Sequence, residues 1–430
     1  MMALAPRPDP MTSLELPLPA LRPLEVSPLL HGPEGQVGLR DPLGLADSGA
    51  SLYWLSPIEW SIARRFDGLA SARRVAEQVG GELGSNLEAR RVLELSERLS
   101  AAGLLDDHEA LARTQRALEQ VRRQERRPAL VPGSELPADP LDLRIELGGL
   151  VADDWDMPQL PHARGLLAPA GPIRTLAPLY SRAYASVRHA KRELARIVLL
   201  GNLRARLSEP LIPLFKDFDT PLGPVPVDRG ALLELGLLPG RLQLAHFPQR
   251  DLERQALFVR LLFPGVPVVA LLVEAFPAQF PEGQPRGNPQ VEALLGHLRR
   301  IEALPGRTLW IAAADSYRLG EPSGAPPDER VRHALLGGKA GREIRETDQL
   351  CLEALETADS DAFYAAAFRR DDPLRCQFAP APYFLKRLLE GEPSLAPDAE
   401  RGQLLRCSAL GYLERPGQGC VLTASAAVWH

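Results

Sequence analysis

Cysteine is scarce. The four residues, Cys351, Cys376, Cys407 and Cys420, all lie in the C-terminal part of a 430-residue chain, and no two form a CxxC. That spacing excludes a disulfide framework and a cysteine-rich zinc cluster, and fits free thiols in a reducing compartment. Lysine is scarcer still for its class, with four residues among 50 basic ones; the arginine bias reads as the signature of a GC-rich genome rather than of a function. No apolar run approaches the ~18 residues a spanning helix needs. The N-terminus has no basic stretch followed by an apolar core, so no signal peptide is expected and the expected location is the cytoplasm. A net charge of −5 gives no global case for nucleic acid or for an anionic membrane.

The remaining composition, 45% hydrophobic and 24% charged, is that of a globular protein. The length exceeds one ordinary core, so two domains are expected. Residues 1–20 are proline-rich and read as a flexible leader. Extended pieces at Leu21–Val26 and Gln36–Pro42 flank the turn His31-Gly32-Pro33-Glu34-Gly35, which predicts a β-hairpin. Ser56-Pro57-Ile58-Glu59 then opens a helix with an N-cap serine, a proline at the first helical position and an acid in the first turn. Ile58, Ile62 and Phe66 fall on one face of it. A second helix over 72–79 is expected to stop at Gly80-Gly81, and a third over 87–102 at Gly103. A polar helix, 109–125, reads as a connector.

Beyond residue 126 the apolar strand candidates are Gly165–Leu167, Ile197–Leu200, Val268–Val273 and Leu309–Ala312. They alternate with helical stretches at 178–195, 229–236, 251–262 and 290–303. Such alternation predicts an α/β domain, a mainly parallel sheet flanked by helices. Two late extended runs, 404–413 and 420–428, read as an antiparallel pair at the sheet edge.

Two resemblances follow from particular residues. The hairpin and three helices of 21–108, closing on Leu99 to Leu105, resemble a PqqD-like winged-helix domain, a small α+β fold. The run Asp219-Thr220-Pro221-Leu222-Gly223-Pro224-Val225-Pro226-Val227-Asp228 resembles the D-T-P-L-G-x-V-P-V-D of the MEMO family, the B component of AmmeMemoRadiSam gene sets, whose fold is similar to class III extradiol (LigB-type) dioxygenases. Arg127-Pro128-Ala129 through Asp139-Pro140 is similar to that family's opening motif, with its Phe-Tyr pair replaced by Glu135-Leu136. The resemblance covers 126–430.

What it implies for the site is mostly loss. The resemblance puts the family's metal positions at Pro169, Arg204 and Cys376, two of them histidines in the family, and further motif histidines at Arg250 and Arg318. A rival Pro161-His162-Ala163 precedes the first strand and is set aside. Asp315, Glu253 and Gln255 keep the family's residue types, and Cys376 is the one metal-type ligand left. Arginine is a permanent cation and cannot ligate a metal. No metal or cofactor is therefore expected, and the chain reads as a pseudoenzyme.

Several readings stay open. The arginines pair with the leftover carboxylates, or Arg204, Arg250 and Arg318 form an anion pocket for a small carboxylate or phosphate. Cys376, Asp315 and Glu253 are the candidates for any metal-independent chemistry. Residues 21–125 are expected to engage a peptide or protein partner by an exposed hairpin edge. A DNA-binding regulator is the alternative, but 11 arginines against 13 acids over 45–125 leave no basic face. The expected function is a non-catalytic binding or scaffold protein; the oligomeric state is open, a homo-oligomer included.

Overall fold

The computed structural model describes residues 14–28, 36–46, 52–152, 159–190, 194–203, 205–277, 280, 283–320, 339–357, 359–368, 380–390, 407–416 and 420–430. The chain divides into two compact units, Met1–Arg123 and Gln124–His430.

The first unit holds strands β1 (Glu25–Pro28), β2 (Val37–Arg40) and β3 (Tyr53–Leu55) and helices α1 (Pro57–Ala63), α2 (Ala72–Leu83), α3 (Ala89–Ala101) and α4 (His108–Arg123). The strands form one antiparallel sheet in the order β1-β2-β3, so the expected hairpin carries a third strand. Ser56 caps α1 as its sequence predicts. Its hydroxyl accepts the Glu59 N–H while the Glu59 carboxylate accepts the Ser56 N–H, which completes a capping box. Ile62 and Phe66 enter the core, but Ile58 is 52% exposed. Helix α2 does not stop at Gly80-Gly81. It runs on to a left-handed C-cap at Gly84, φ 61°. Gly80 is needed for close approach instead: a Cβ there would lie 2.7 Å from the Ser85 carbonyl oxygen as the chain turns back.

Residues 14–20 do not behave as a leader. The Leu18 N–H donates to the Ala70 carbonyl, the Leu21 N–H to Phe66, and the Asp106 N–H to Ala20. Leu18 is buried and Leu14 packs on the same core. The alternating prolines and leucines of this stretch serve as an extended strap; the part over 1–13 lies outside the described residues. The expected connector helix is likewise anchored in the first unit, where Arg113 donates to the carbonyls of Leu45 and Ala101.

The second unit contains, in order, β4 (Arg126–Arg127), α5 (Pro140–Ala152), β5 (Gly165–Ala168), α6 (Ala177–Val187), β6 (Leu194–Leu203), β7 (Leu211–Pro213), β8 (Asp217–Phe218), α7 (Arg229–Glu234), a 3-10 turn (Arg241–His246), α8 (Asp251–Leu262), β9 (Val268–Glu274), α9 (Pro289–Glu302), β10 (Arg307–Ala313), β11 (Tyr317–Gly320), α10 (Lys339–Glu356), α11 (Ser360–Ala367), α12 (Pro380–Glu390), β12 (Cys407–Pro416) and β13 (Cys420–Trp429). The α/β expectation holds at this level. Eight strands form one sheet in the order β11-β13-β5-β10-β6-β9-β7, with β12 on the other side of β13. The four central strands β5, β10, β6 and β9 are parallel, and β7, β11, β12 and β13 join antiparallel. The final pair lies antiparallel at the sheet edge as expected, with β12 outermost and β13 joining it to β5 and β11.

The central strands are buried on both faces, as their continuous runs of Val, Leu, Ile and Ala require. Gly201, near the end of β6, is fixed by packing: a Cβ there would lie 2.9 Å from Leu252 on α8 and 3.0 Å from Leu272 on β9.

The intact Asp219–Asp228 run is scaffold. Phe218 and Val225 exchange backbone hydrogen bonds, and Val227 bridges Val268 at the start of β9. Gly223 turns at φ 105°, its carbonyl accepting the Thr220 hydroxyl. Arg260 of α8 donates to the Leu222 carbonyl, and Asp228 caps α7 by accepting the Ala231 N–H. Val268 begins β9, so this run docks at the amino end of the parallel strands.

Candidate functional site

In an open parallel sheet, loops beyond the carboxyl ends of the strands carry the chemistry. Here those ends are Ala168, Leu203, Glu274 and Ala313. The loops after β5 and β10 are tied directly: Asp315 Oδ1 accepts the N–H groups of Ala170 and Gly171 at 2.8 and 2.9 Å. Pro169, 170 and 171 therefore lie beside Asp315, and His162 is exposed before the strand. The side chain of Pro169 has no donor atom. Asp315 is 3% exposed and Ser316 beside it 1%, and the Ser316 hydroxyl has no hydrogen-bond partner among the described residues.

The first turn of α8 supplies the rest. Gln255, wholly buried, donates to the Pro169 carbonyl at 2.8 Å and accepts the Tyr184 hydroxyl at 2.6 Å. Arg254 donates to the Ala170 carbonyl, to Asp251 at 3.0 Å, and to both oxygens of Glu135 at 2.6 and 3.0 Å. Below them Tyr180, Tyr184 and Phe258 stack with ring planes within 12° of one another, and the Tyr180 hydroxyl donates to the Gly171 carbonyl. Burial pushes both tyrosine hydroxyls well above their ordinary pKa, so they remain neutral donors.

Glu135 is the centre of the charge arrangement. Burial alone would raise its carboxyl, but the guanidinium groups of Arg254 and Arg250 outweigh that and hold it below the ordinary carboxylate value. The same ion pair raises Arg254 against the opposing effect of its burial. Arg250, expected on its sequence to take an anionic ligand, is directed at Glu135 of its own chain at 3.1 Å and at the Ser134 hydroxyl at 3.2 Å.

Glu253 is equally engaged. It is 0% exposed; Oε2 accepts from Arg127 at 2.7 Å and Oε1 accepts the N–H groups of Leu130 and Val131 at 2.7 and 2.8 Å. Arg127 itself is 1% exposed and also donates to the His246 and Gln249 carbonyls. Glu253 thus clamps the segment 127–136 onto α8. Glu253 does not have the geometry of a poised general base, because both of its oxygens face backbone N–H groups or a guanidinium.

The other predicted site residues are placed as follows. Arg204 and Cys376 lie outside the described residues, as does the side chain of Arg318, whose backbone belongs to β11. Among the described residues no group of three His, Cys, Asp or Glu converges to hold a metal. The sequence reading missed Arg127, Glu135 and Arg254. One signal was visible: Glu135 and Arg250 are two positions of opposite charge at which the sequence departs from the residues that the resemblance led one to expect.

Asp315→Asn keeps an acceptor for Ala170 and Gly171 but removes its charge. Charged-group hydrogen bonds exceed neutral ones by about 1 kcal/mol, so a loss of about 1–2 kcal/mol in denaturant-unfolding free energy is expected. A full destabilisation of the sheet would show a larger role for the charge than these two bonds.

No family model matches the chain, and no curated protein sequence matches it.

Proposed function

We propose that the chain is a non-catalytic binding or scaffold protein. In this reading 126–430 is a MEMO-like domain whose metal site is degenerate, 21–108 is a PqqD-like winged-helix module, and residues 21–125 engage a peptide or protein partner. The observation that carries it is the state of the strand ends. Pro169 stands where a metal ligand is expected, and Asp315, Glu253, Arg250, Arg254 and Gln255 are bound to one another's loops rather than convergent on a vacant centre. A sheet of three short antiparallel strands ahead of three helices supports the module assignment, with β1 and β3 each bonded on one side only within that sheet.

Two measurements on the full-length chain test this. After anaerobic incubation with Fe(II) and Cu(I), elemental analysis is expected to find substoichiometric metal; stoichiometric metal would restore a redox enzyme as the better reading. Affinity capture followed by cross-linking mass spectrometry is expected to place partner cross-links within 21–125. Cross-links confined to 126–430 would sink the module's role.

A further inference from the structure

Glu135 sits between two arginines as a bound carboxylate would. The guanidinium of Arg254 presents one edge to it: Nε donates to Oε2 at 3.0 Å and Nη2 to Oε1 at 2.6 Å. Arg250 Nη1 adds a third donor on Oε1 at 3.1 Å. A planar fork on both oxygens of one carboxylate is the geometry by which arginine recognises free carboxylates.

The arginine half of this contact is fixed without its occupant. Arg254 is 4% exposed, and its remaining nitrogen, Nη1, is held from behind by the Ala170 carbonyl and by Asp251. Ala170 is fixed in turn, since its N–H ends on Asp315. With Glu135 gone, Nε and Nη2 of Arg254 would still point to the same place, just beyond the carboxyl end of β5. Ligand sites of parallel sheets lie at such ends. The emptied site would demand an anion, because a buried positive charge without a partner is costly.

The glutamate half can leave alone. The N–H groups of residues 133–136 all end within their own turn, on the carbonyls of Val131 and Leu136. The Ser134 hydroxyl donates to the Leu130 and Val131 carbonyls. Val131 and Leu136 are buried and anchor the two ends of the turn. Glu135 can therefore rotate about its own side-chain bonds without breaking a backbone hydrogen bond. The way out is toward solvent, since its side chain is 16% exposed and that of Arg250 37%. Glu253 has no such freedom, being wholly buried and bound to two backbone N–H groups.

We propose that Arg254 and Arg250 form a binding site for the carboxylate of a small molecule, and that Glu135 is its internal competitor, seated there until the ligand displaces it. The site needs no catalytic group and no partner on 21–125, so it stands or falls apart from metal content and from cross-links. In the wild type, affinity is reduced by the fraction of molecules in which Glu135 has swung out.

Acetate is the probe. It is titrated against the full chain by ligand-observed NMR from about 0.1 to about 100 mM, with chloride adjusted to hold the ionic strength constant. Saturable binding is expected in the wild type, and binding at least about tenfold tighter in Glu135→Ala. Acetate should also raise the melting temperature of Glu135→Ala more than that of the wild type, because it replaces the missing carboxylate. Glu135→Gln keeps the shape of the side chain and should likewise bind more tightly than wild type, which preserves the test if the alanine variant does not fold. Arg250→Gln, at a partly exposed residue, should weaken acetate about tenfold when added to either variant. A wild type without saturable acetate binding over this range overturns the proposal. So do Glu135 variants that bind no more tightly than wild type, or binding that Arg250→Gln leaves unchanged.

Discussion

Glu253→Ala should lower the melting temperature of the second unit by roughly 10 °C. Three bonds end on this carboxylate, and two of the partner residues, Arg127 and Val131, are buried. Arg127 is the decisive one. It is 1% exposed, and its burial opposes the charge so strongly that its pKa is lowered even with Glu253 in place. Removing one partner of such a pair costs about 3–5 kcal/mol, because the other charge is left without compensation. The N–H groups of Leu130 and Val131 lose their acceptor as well. At about 2–4 °C per kcal/mol for a domain of this size class, that gives the expected shift. The double variant Arg127→Met/Glu253→Met separates the ion pair from the clamp. It removes both charges and should recover part of the loss, while the 127–136 segment, no longer held through Glu253, should exchange its amide protons faster. A single variant within ~1 kcal/mol of wild type would mean that water or another cation replaces the contact.

This clamp also shows where sequence reading stops. Local chemistry was legible. The capping box at Ser56, the strands around Ile197 and Val268 and the helix from Asp251 each depend on neighbours in sequence, and their bounds came within a few residues. Helix α5 was not legible because apolar residues on both faces cancel the periodicity that marks an amphipathic helix. Helix α2 ran past its expected stop because Gly80 answers to the returning chain at Ser85 rather than to helix termination. The candidate site was legible only in part. Glu253 and Asp315 were singled out as candidates for chemistry, but the partners they have in the structure lie 122 to 145 residues away in sequence. Nothing in the spacing of Glu135 relates it to Arg254, 119 residues on. Pairing of arginine with carboxylate was weighed from the residue types alone. The structure assigns Arg250 to Glu135, and gives Glu253 to Arg127 and Asp315 to the backbone of 170 and 171.

Between pH 7 and pH 5 the chain should lose about 2 kcal/mol of stability through one residue, His246. The ring is 1% exposed, and its Nε2 lies 2.8 Å from the Ile212 carbonyl, a contact that requires a proton on that nitrogen. Burial is the main cause that lowers its pKa, from 6.5 to about 3; the Ile212 contact opposes the shift and the Arg127 charge adds to it. The unfolded chain therefore takes up a proton near pH 6.5 that the folded chain refuses until about pH 3. Stability is complete above the unfolded value, falls as the pH drops below it, and levels off once the folded ring is protonated. Glu135 acts in the same direction in a lower window. Its folded pKa is depressed below the ordinary value of 4.5, so its contribution is present above that value and fades as the pH falls through the folded one. The interval from 4.5 to 6.5 thus separates the histidine from Glu135, and Glu274, whose carboxyl burial raises above 4.5, is common to wild type and to a His246 variant and cancels in their difference. His246→Gln keeps an N–H for the Ile212 carbonyl but cannot titrate. Urea unfolding of the variant should be flatter in that interval by about 2 kcal/mol than wild type. His297, partly exposed and lowered by burial and by Arg300, is common to both proteins and drops out of the difference. Parallel pH profiles for the two proteins would show that water reaches the ring, and that the 3-10 turn carrying His246 opens well before the sheet does.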